Sequence, residues 1–143
     1  MDTRIRLEMI SRLQNGSDEI RSSMTARYHL LGHEVRLAYK QILDPESGGQ
    51  TPEILSIRLD DAGIPVQAVM KRPGSGLSLT FAPGAPCKAL YDTPAGRMEL
   101  CLLTQELDGA FEPDRVYLHL KYEMQLAQER LGVTEIILRG EKP

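Results

Sequence analysis

The segment Arg115–Leu126 constrains the fold of this chain more than any other. It reads Arg-Val-Tyr-Leu-His-Leu-Lys-Tyr-Glu-Met-Gln-Leu and alternates without a break. Val116, Leu118, Leu120, Tyr122, Met124 and Leu126 share one phase, and Arg115, Tyr117, His119, Lys121, Glu123 and Gln125 share the other. Successive side chains of a strand point to opposite faces, so this pattern is a long antiparallel strand with one face buried. Helix formers from Tyr122 to Leu131 compete for this region. The unbroken phase favours the strand.

The same alternation recurs. Ile5, Leu7 and Met9 alternate with Arg4, Arg6 and Glu8; Val35, Leu37 and Tyr39 with Glu34, Arg36, Ala38 and Lys40; Met98, Leu100, Leu102 and Thr104 with Arg97, Glu99 and Cys101. A weaker version runs from Ile20 to Tyr28, and 52–60, 64–72, 77–82, 87–91 and 133–139 are shorter strand candidates. Turn signals separate them: Asn15-Gly16, Leu31-Gly32-His33, Ser47-Gly48-Gly49, Asp60-Asp61-Ala62-Gly63, Pro73-Gly74-Ser75-Gly76, Pro83-Gly84, Pro94-Ala95-Gly96 and Leu107-Asp108-Gly109. Short connections imply that consecutive strands pair as hairpins. About eight to ten such strands, most with one apolar face, close into a barrel or fold into a sandwich. Long strands joined by short sequential turns favour a single-domain, all-β, closed or nearly closed antiparallel meander barrel. A barrel of about eight strands is either filled with side chains or hollow enough for one small ligand.

At 143 residues the chain is long enough to bury a core without disulfides or metal. The net charge of −3 argues against a general nucleic-acid or membrane-surface binder. Residues 1–40 nevertheless carry seven basic and five acidic side chains, against ten and fifteen in the remainder. The opening Met-Asp-Thr-Arg-Ile-Arg has no apolar targeting core, and no run approaches the ~18–20 apolar residues of a membrane span, so a cytoplasmic protein is expected. Two cysteines without zinc spacing fit a reducing compartment. Pairing apolar with apolar across the 91–98 hairpin sets Tyr91 opposite Met98, Ala89 opposite Leu100 and Cys87 opposite Leu102. Cys87 then faces inward as a small core hydrophobe and Cys101 outward, which excludes a disulfide between them.

Several residue groups together resemble the YwiB-like bacterial proteins. They are Gly32 through Tyr39, Lys71-Arg72-Pro73-Gly74, Leu79-Thr80-Phe81, Tyr91-Asp92-Thr93-Pro94-Ala95-Gly96, Thr104 and Leu120-Lys121-Tyr122. The likeness spans nearly all of residues 3–139, and its most specific element is the Tyr-x-Thr-Pro-x-Gly turn followed by a long alternating strand. It implies a calycin-like (lipocalin-like) barrel in a bacterial cytoplasm and carries over no activity or catalytic residue. One position departs from the pattern: Gln41 stands where an acidic residue is expected two positions after the third-strand tyrosine. The Gly-x-Trp that marks the first strand of lipocalins is absent, since the chain has no tryptophan.

Signatures of known chemistry are missing. Gly74-Ser75-Gly76 lacks the Lys-Ser/Thr of a phosphate loop, there is no Gly-x-Ser-x-Gly elbow, and His33-Glu34 lacks a second zincin histidine. His29, His33 and His119 do not supply a strand-borne metal pair; His29 and His33 could meet across a hairpin but read as solvated turn residues. No catalytic residue, metal or cofactor is expected. The inner face holds what is left. Tyr28, Tyr39, Tyr91 and Tyr122 fall in the apolar phase with Gln41 and Thr104, and Arg72 lies at a strand end. Two readings stay open. Tyr39, Gln41, Arg72, Tyr91, Thr104 and Tyr122 converge on a barrel mouth that binds a small polar or anionic molecule over an apolar floor. Alternatively, each hydroxyl bonds the backbone or reaches the rim, and Arg72 snorkels to water. Outward-facing Arg4, Arg6, Arg12, Arg21, Arg27, Arg36 and Lys40 form a candidate phosphate-binding stripe, but this face lacks the aromatics on which bases stack, so nucleic acid is not the expected partner. The leading expectation is a non-enzymatic small-molecule-binding barrel. The alternatives are a filled barrel that dimerises or docks a partner, and an enzyme with an unfamiliar site.

Overall fold

A computed structural model describes residues 2–13, 19–44, 49–74, 76–126 and 129–143; the side chains of residues 2, 41–44 and 91–93 lie outside the description. Ten strands follow in order: β1 (Asp2–Leu13), β2 (Glu19–Leu31), β3 (Glu34–Asp44), β4 (Gly49–Leu59), β5 (Pro65–Arg72), β6 (Leu77–Phe81), β7 (Cys87–Thr93), β8 (Gly96–Glu112), β9 (Arg115–Leu126) and β10 (Glu129–Glu141). They form one antiparallel meander of spatial order β6-β5-β4-β3-β2-β1-β10-β9-β8-β7. Pairing of β1 with β10, Leu7 opposite Gly140, joins the two ends of the chain and curls the sheet into a nearly closed barrel.

The helix formers after Tyr122 stay extended. Their backbone groups find partners on both sides, on β8 through Leu102↔Met124 and on β10 through Gln125↔Arg130. Tertiary pairing overrides a weak local preference here. The hairpin register read from the sequence holds: Cys87 opposes Leu102, Ala89 opposes Leu100 and Tyr91 opposes Met98. Both cysteines are free and half-buried, so Cys87 lies at the sheet margin rather than in the core.

Two further expectations need correction. Consecutive strands pair throughout except β6 with β7, which flank the seam of the barrel. The five-residue β6 is followed by Ala82-Pro83-Gly84-Ala85-Pro86, and proline has no N–H to give to a ladder. Leu107-Asp108-Gly109 is not a turn, because β8 runs through it to Glu112. A Cβ on Gly109 would sit 2.8 Å from the Tyr117 carbonyl oxygen and 2.9 Å from the Phe111 ring, so this glycine serves close packing inside a strand. In addition, a bulge between Thr104 and Glu106 reverses the phase of β8, and the inner residues change from Leu100 and Leu102 to Leu107 and Phe111.

One further irregularity matters for the site. Among the described residues β2 pairs with β3 only from Arg27↔Ala38 to Leu31↔Glu34. Beyond that point residues 19–26 of β2 pair with β1, and residues 39–44 of β3 pair with β4. The barrel wall is therefore slit between β2 and β3.

The meander puts the turns of β2–β3, β4–β5 and β8–β9 at one end of the barrel. That end is packed solid: Ile5, Leu7, Val35, Leu37, Ile57, Ala68 and Leu118 are all 0% exposed. Tyr28 plugs it, its hydroxyl donating to the Glu112 carbonyl at 2.8 Å. Its ionisation is pushed up to about 12, first by burial and then by Asp114 and Glu112.

Candidate functional site

The other end is hollow. A cavity of about 560 Å³ opens there, floored by Leu55, Leu79, Phe81, Leu100, Leu118 and Leu138 and walled higher up by Met9, Met70, Leu120, Met124 and Ile136. Each of these comes from the inward phase of its strand, so the alternation of the sequence itself lines the chamber. At the mouth Ile20 and Leu131 are 63% and 50% exposed.

Charged groups among the described lining residues enter the chamber at one place. Tyr39 on β3 lies directly opposite Glu53 on β4. The Tyr39 hydroxyl donates to Glu53 Oε1 at 3.2 Å, and Arg72 Nε donates to Glu53 Oε2 at 3.4 Å. Glu53 is 3% exposed, and both of its carboxylate oxygens accept hydrogen bonds, one of them from the Arg72 guanidinium, as a buried polar group requires. Burial pushes the Tyr39 hydroxyl far above its ordinary range, the facing Glu53 carboxylate adds to this, and Arg72 partly opposes it. Tyr122, its ring 4.8 Å from that of Phe81, is also pushed up by burial, with a hydrogen bond to Thr134 pulling the other way. Both hydroxyls are thus neutral and able to donate or accept.

Of the six residues read from the sequence, Tyr39, Arg72 and Tyr122 line the cavity together. Gln41, opposite Thr51, and Tyr91, opposite Met98, have side chains outside the described residues. Thr104 faces Tyr122 across the β8–β9 ladder but does not line the chamber, and its buried Oγ1 has no hydrogen-bond partner among the described residues. Glu53 was the residue missed. Its parity matches the buried Leu55, Ile57 and Leu59, so extending that phase back to the start of the strand would have pointed it inward. Position 41 lacks the acidic residue expected near the third-strand tyrosine, whereas Glu53 brings a carboxylate to that tyrosine from the neighbouring strand.

Outside the barrel, His119 Nε2 lies 2.8 Å from Glu135, and its Nδ1 is 3.7 Å from both Glu106 and Asp108. The hydrogen bond to His119 is the main reason the Glu135 carboxyl titrates below its usual range. Among the described residues no group of three His, Cys, Asp or Glu side chains is arranged to hold a metal ion. His33 stays in its turn, Nδ1 3.2 Å from the Asp60 carbonyl, while His29 sits opposite Arg36. The outward aromatic absent from β1–β3 occurs on β9, where the Arg139 guanidinium lies 5.9 Å from the Tyr117 ring centroid. Among the described residues no helix is long and apolar enough to cross a membrane.

A meander of ten strands around a half-hollow interior, with one charge-balanced polar node at its rim, defines a small antiparallel barrel with an internal chamber. The chain belongs to the family described as domain of unknown function DUF1934, whose model matches residues 5–138. It is similar in fold to the crystal structure of the YwiB protein from Bacillus subtilis, with a TM-score of 0.75 at 19% identity over 99% of this chain and 93% of that one. No curated protein matches the chain.

Proposed function

We propose that the barrel is a non-enzymatic binding protein for a small molecule with a largely apolar body, held in the hollow end and oriented by Tyr39, Glu53, Arg72 and Tyr122. The carrying observation is the chamber itself, whose volume of about 560 Å³ lies within the range of small-molecule sites and whose walls are mostly aliphatic. A non-enzymatic role is favoured because both oxygens of Glu53 are engaged and the Tyr39 hydroxyl is pushed far from neutral pH. The Tyr39 hydroxyl is therefore not poised to exchange a proton at ordinary pH. A cytoplasmic setting agrees with the two free cysteines.

Native mass spectrometry on protein isolated from its own host, compared with the denatured sample, tests the reading. A stoichiometric small-molecule adduct lost on denaturation is the expected result. A bare protein that also fails to take up an apolar fluorescent probe saturably removes it. The second reading is an interaction protein that forms a homodimer or docks a partner. It is favoured by β7, a margin strand of the sheet whose Leu90 is 62% exposed. A concentration-dependent dimer with an empty chamber would support it.

A further inference from the structure

The slit between β2 and β3 carries a charge pattern unlike that of the grooves beside Arg6 and beside His33, each of which contains a carboxylate. A groove of about 630 Å³ runs along it, lined by Arg4, Arg27 and Lys40 with Ser23, Thr25 and Tyr39, and among the described residues no carboxylate lines it. Arg4 and Arg27 stand directly opposite each other in the β1–β2 ladder. Like charges in that relation repel, and among the described residues neither they nor Lys40 form an ion pair with a carboxylate. Other arginines on the same strands are treated differently. Arg12 pairs with Glu19 and Glu135, Arg21 with Glu19, and Arg36 with Glu34. A second groove, which holds Arg6, Arg115 and Arg139, also contains Glu8 and Glu141, each directly opposite one or two of those arginines. Among the described residues the β2–β3 slit is thus positive charge without a facing carboxylate, beside two strand edges whose main-chain groups have no ladder partner there.

Its position gives it a role. Tyr39 lines both this outer groove and the inner chamber, so the two spaces meet at one side chain. The chamber has one charged pair, Glu53 with Arg72, and it is self-balanced. A net charge brought inside would be desolvated without a counter-charge. An anionic ligand therefore keeps its head outside and places only its apolar part within.

We infer that the β2–β3 slit is the anion-recognising portal of the chamber, and that the ligand is a single-chain amphiphile. Its carboxylate or phosphate head rests on Arg4, Arg27 and Lys40 while its chain passes Tyr39 into the hollow end. This rests on the binding reading above and names the ligand class for it.

The test is a calorimetric titration of the full chain with dodecanoate, dodecyl phosphate, dodecanol and inorganic phosphate, each below its aggregation limit and with oligomeric state followed by light scattering. The two anionic amphiphiles should bind at least about tenfold more tightly than dodecanol, with the gap closing as salt screens exposed charge. In the Arg4→Gln/Arg27→Gln variant, and independently in Lys40→Gln, that preference should shrink while dodecanol binding is unchanged. Both sites are exposed, and circular dichroism checks that each variant keeps the native fold. Equal binding of all three chain compounds overturns the portal and leaves the chamber standing. Inorganic phosphate binding as tightly as dodecyl phosphate also overturns it, since the groove would then act without the chamber. Failure of every chain compound, dodecanol included, removes the chamber reading with it. A dimer that binds none of them assigns the slit to a second copy of the chain.

Discussion

The two ends of this barrel are built from the same strands and the same alternation, yet one is solid and the other hollow. At the solid end the inward positions carry branched aliphatics that interdigitate, Leu7, Val35, Leu37 and Ile57 among them, and Tyr28 closes the layer with a hydrogen bond to a carbonyl. At the hollow end the inward positions of β3, β4 and β5 become Tyr39, Glu53 and Arg72, while Met9, Met70 and Met124 line the walls. The polar side chains spend their reach on one another rather than on filling the axis, and the methionines are flexible enough to leave room. Close packing is concentrated at one end, and empty space at the other.

The largest effect expected from this contrast is in core truncation. Leu37→Ala should lower unfolding free energy by about 2–5 kcal/mol because it opens a void in a close-packed layer. Leu126→Ala, at the partly open mouth, should cost less than about 1 kcal/mol, since little packing is lost there. Urea denaturation of both variants decides it, and equal losses would mean that the mouth is packed after all.

Next in size is the charge node. Arg72→Met leaves Glu53 buried beside Tyr39 alone and should cost about 1–3 kcal/mol. The double variant Glu53→Met/Arg72→Met should recover most of that, because both members of the pair are gone. If the double variant is as unstable as the sum of the two single ones, the pair is not coupled as drawn.

A smaller effect separates the tyrosines. Tyr28→Phe should cost about 0.5–1.5 kcal/mol through loss of its bond to the Glu112 carbonyl, with no change in ligand uptake. Tyr122→Phe should weaken binding of the chamber ligand even where stability is retained. Equal effects of the two substitutions on binding would erase the functional distinction between the ends.

The last prediction is silent at neutral pH. Tyr28, Tyr39 and Tyr122 all hold their protons more tightly in the folded state, Tyr28 up to about 12 from 10.0. Their contribution is complete below pH 10 and declines as unfolded tyrosines ionise above it, for Tyr28 until the folded value near 12 is passed. Thermal melts between pH 9 and 12 should show a falling midpoint that is shallower in Tyr28→Phe. A midpoint rising over that interval would contradict the burial of these hydroxyls.

Much of this architecture is legible in the amino-acid order because its causes are local. Alternation sets which face each residue takes, and a tight turn sets the register of the two strands it joins, so Cys87 opposite Leu102 follows from the sequence alone. Tyr39, Arg72 and Tyr122 as inward polar residues are legible for the same reason. Other features are decided by contacts between segments far apart in the chain. The bulge after Thr104 reverses the phase of β8, because that strand must follow β9 along its whole length and still curve around the barrel. Gly109, which reads as a turn, sits mid-strand because the Tyr117 carbonyl and the Phe111 ring leave no room for a Cβ. Glu53 becomes a partner of Tyr39 and Arg72 only when three strands come side by side, and the slit between β2 and β3 exists because each strand follows its other neighbour as the barrel opens. Period and turn chemistry determined the strands and their faces. Closure of the sheet decided which inward residues meet and where the interior is left empty, because those distances depend on curvature, which no single strand encodes.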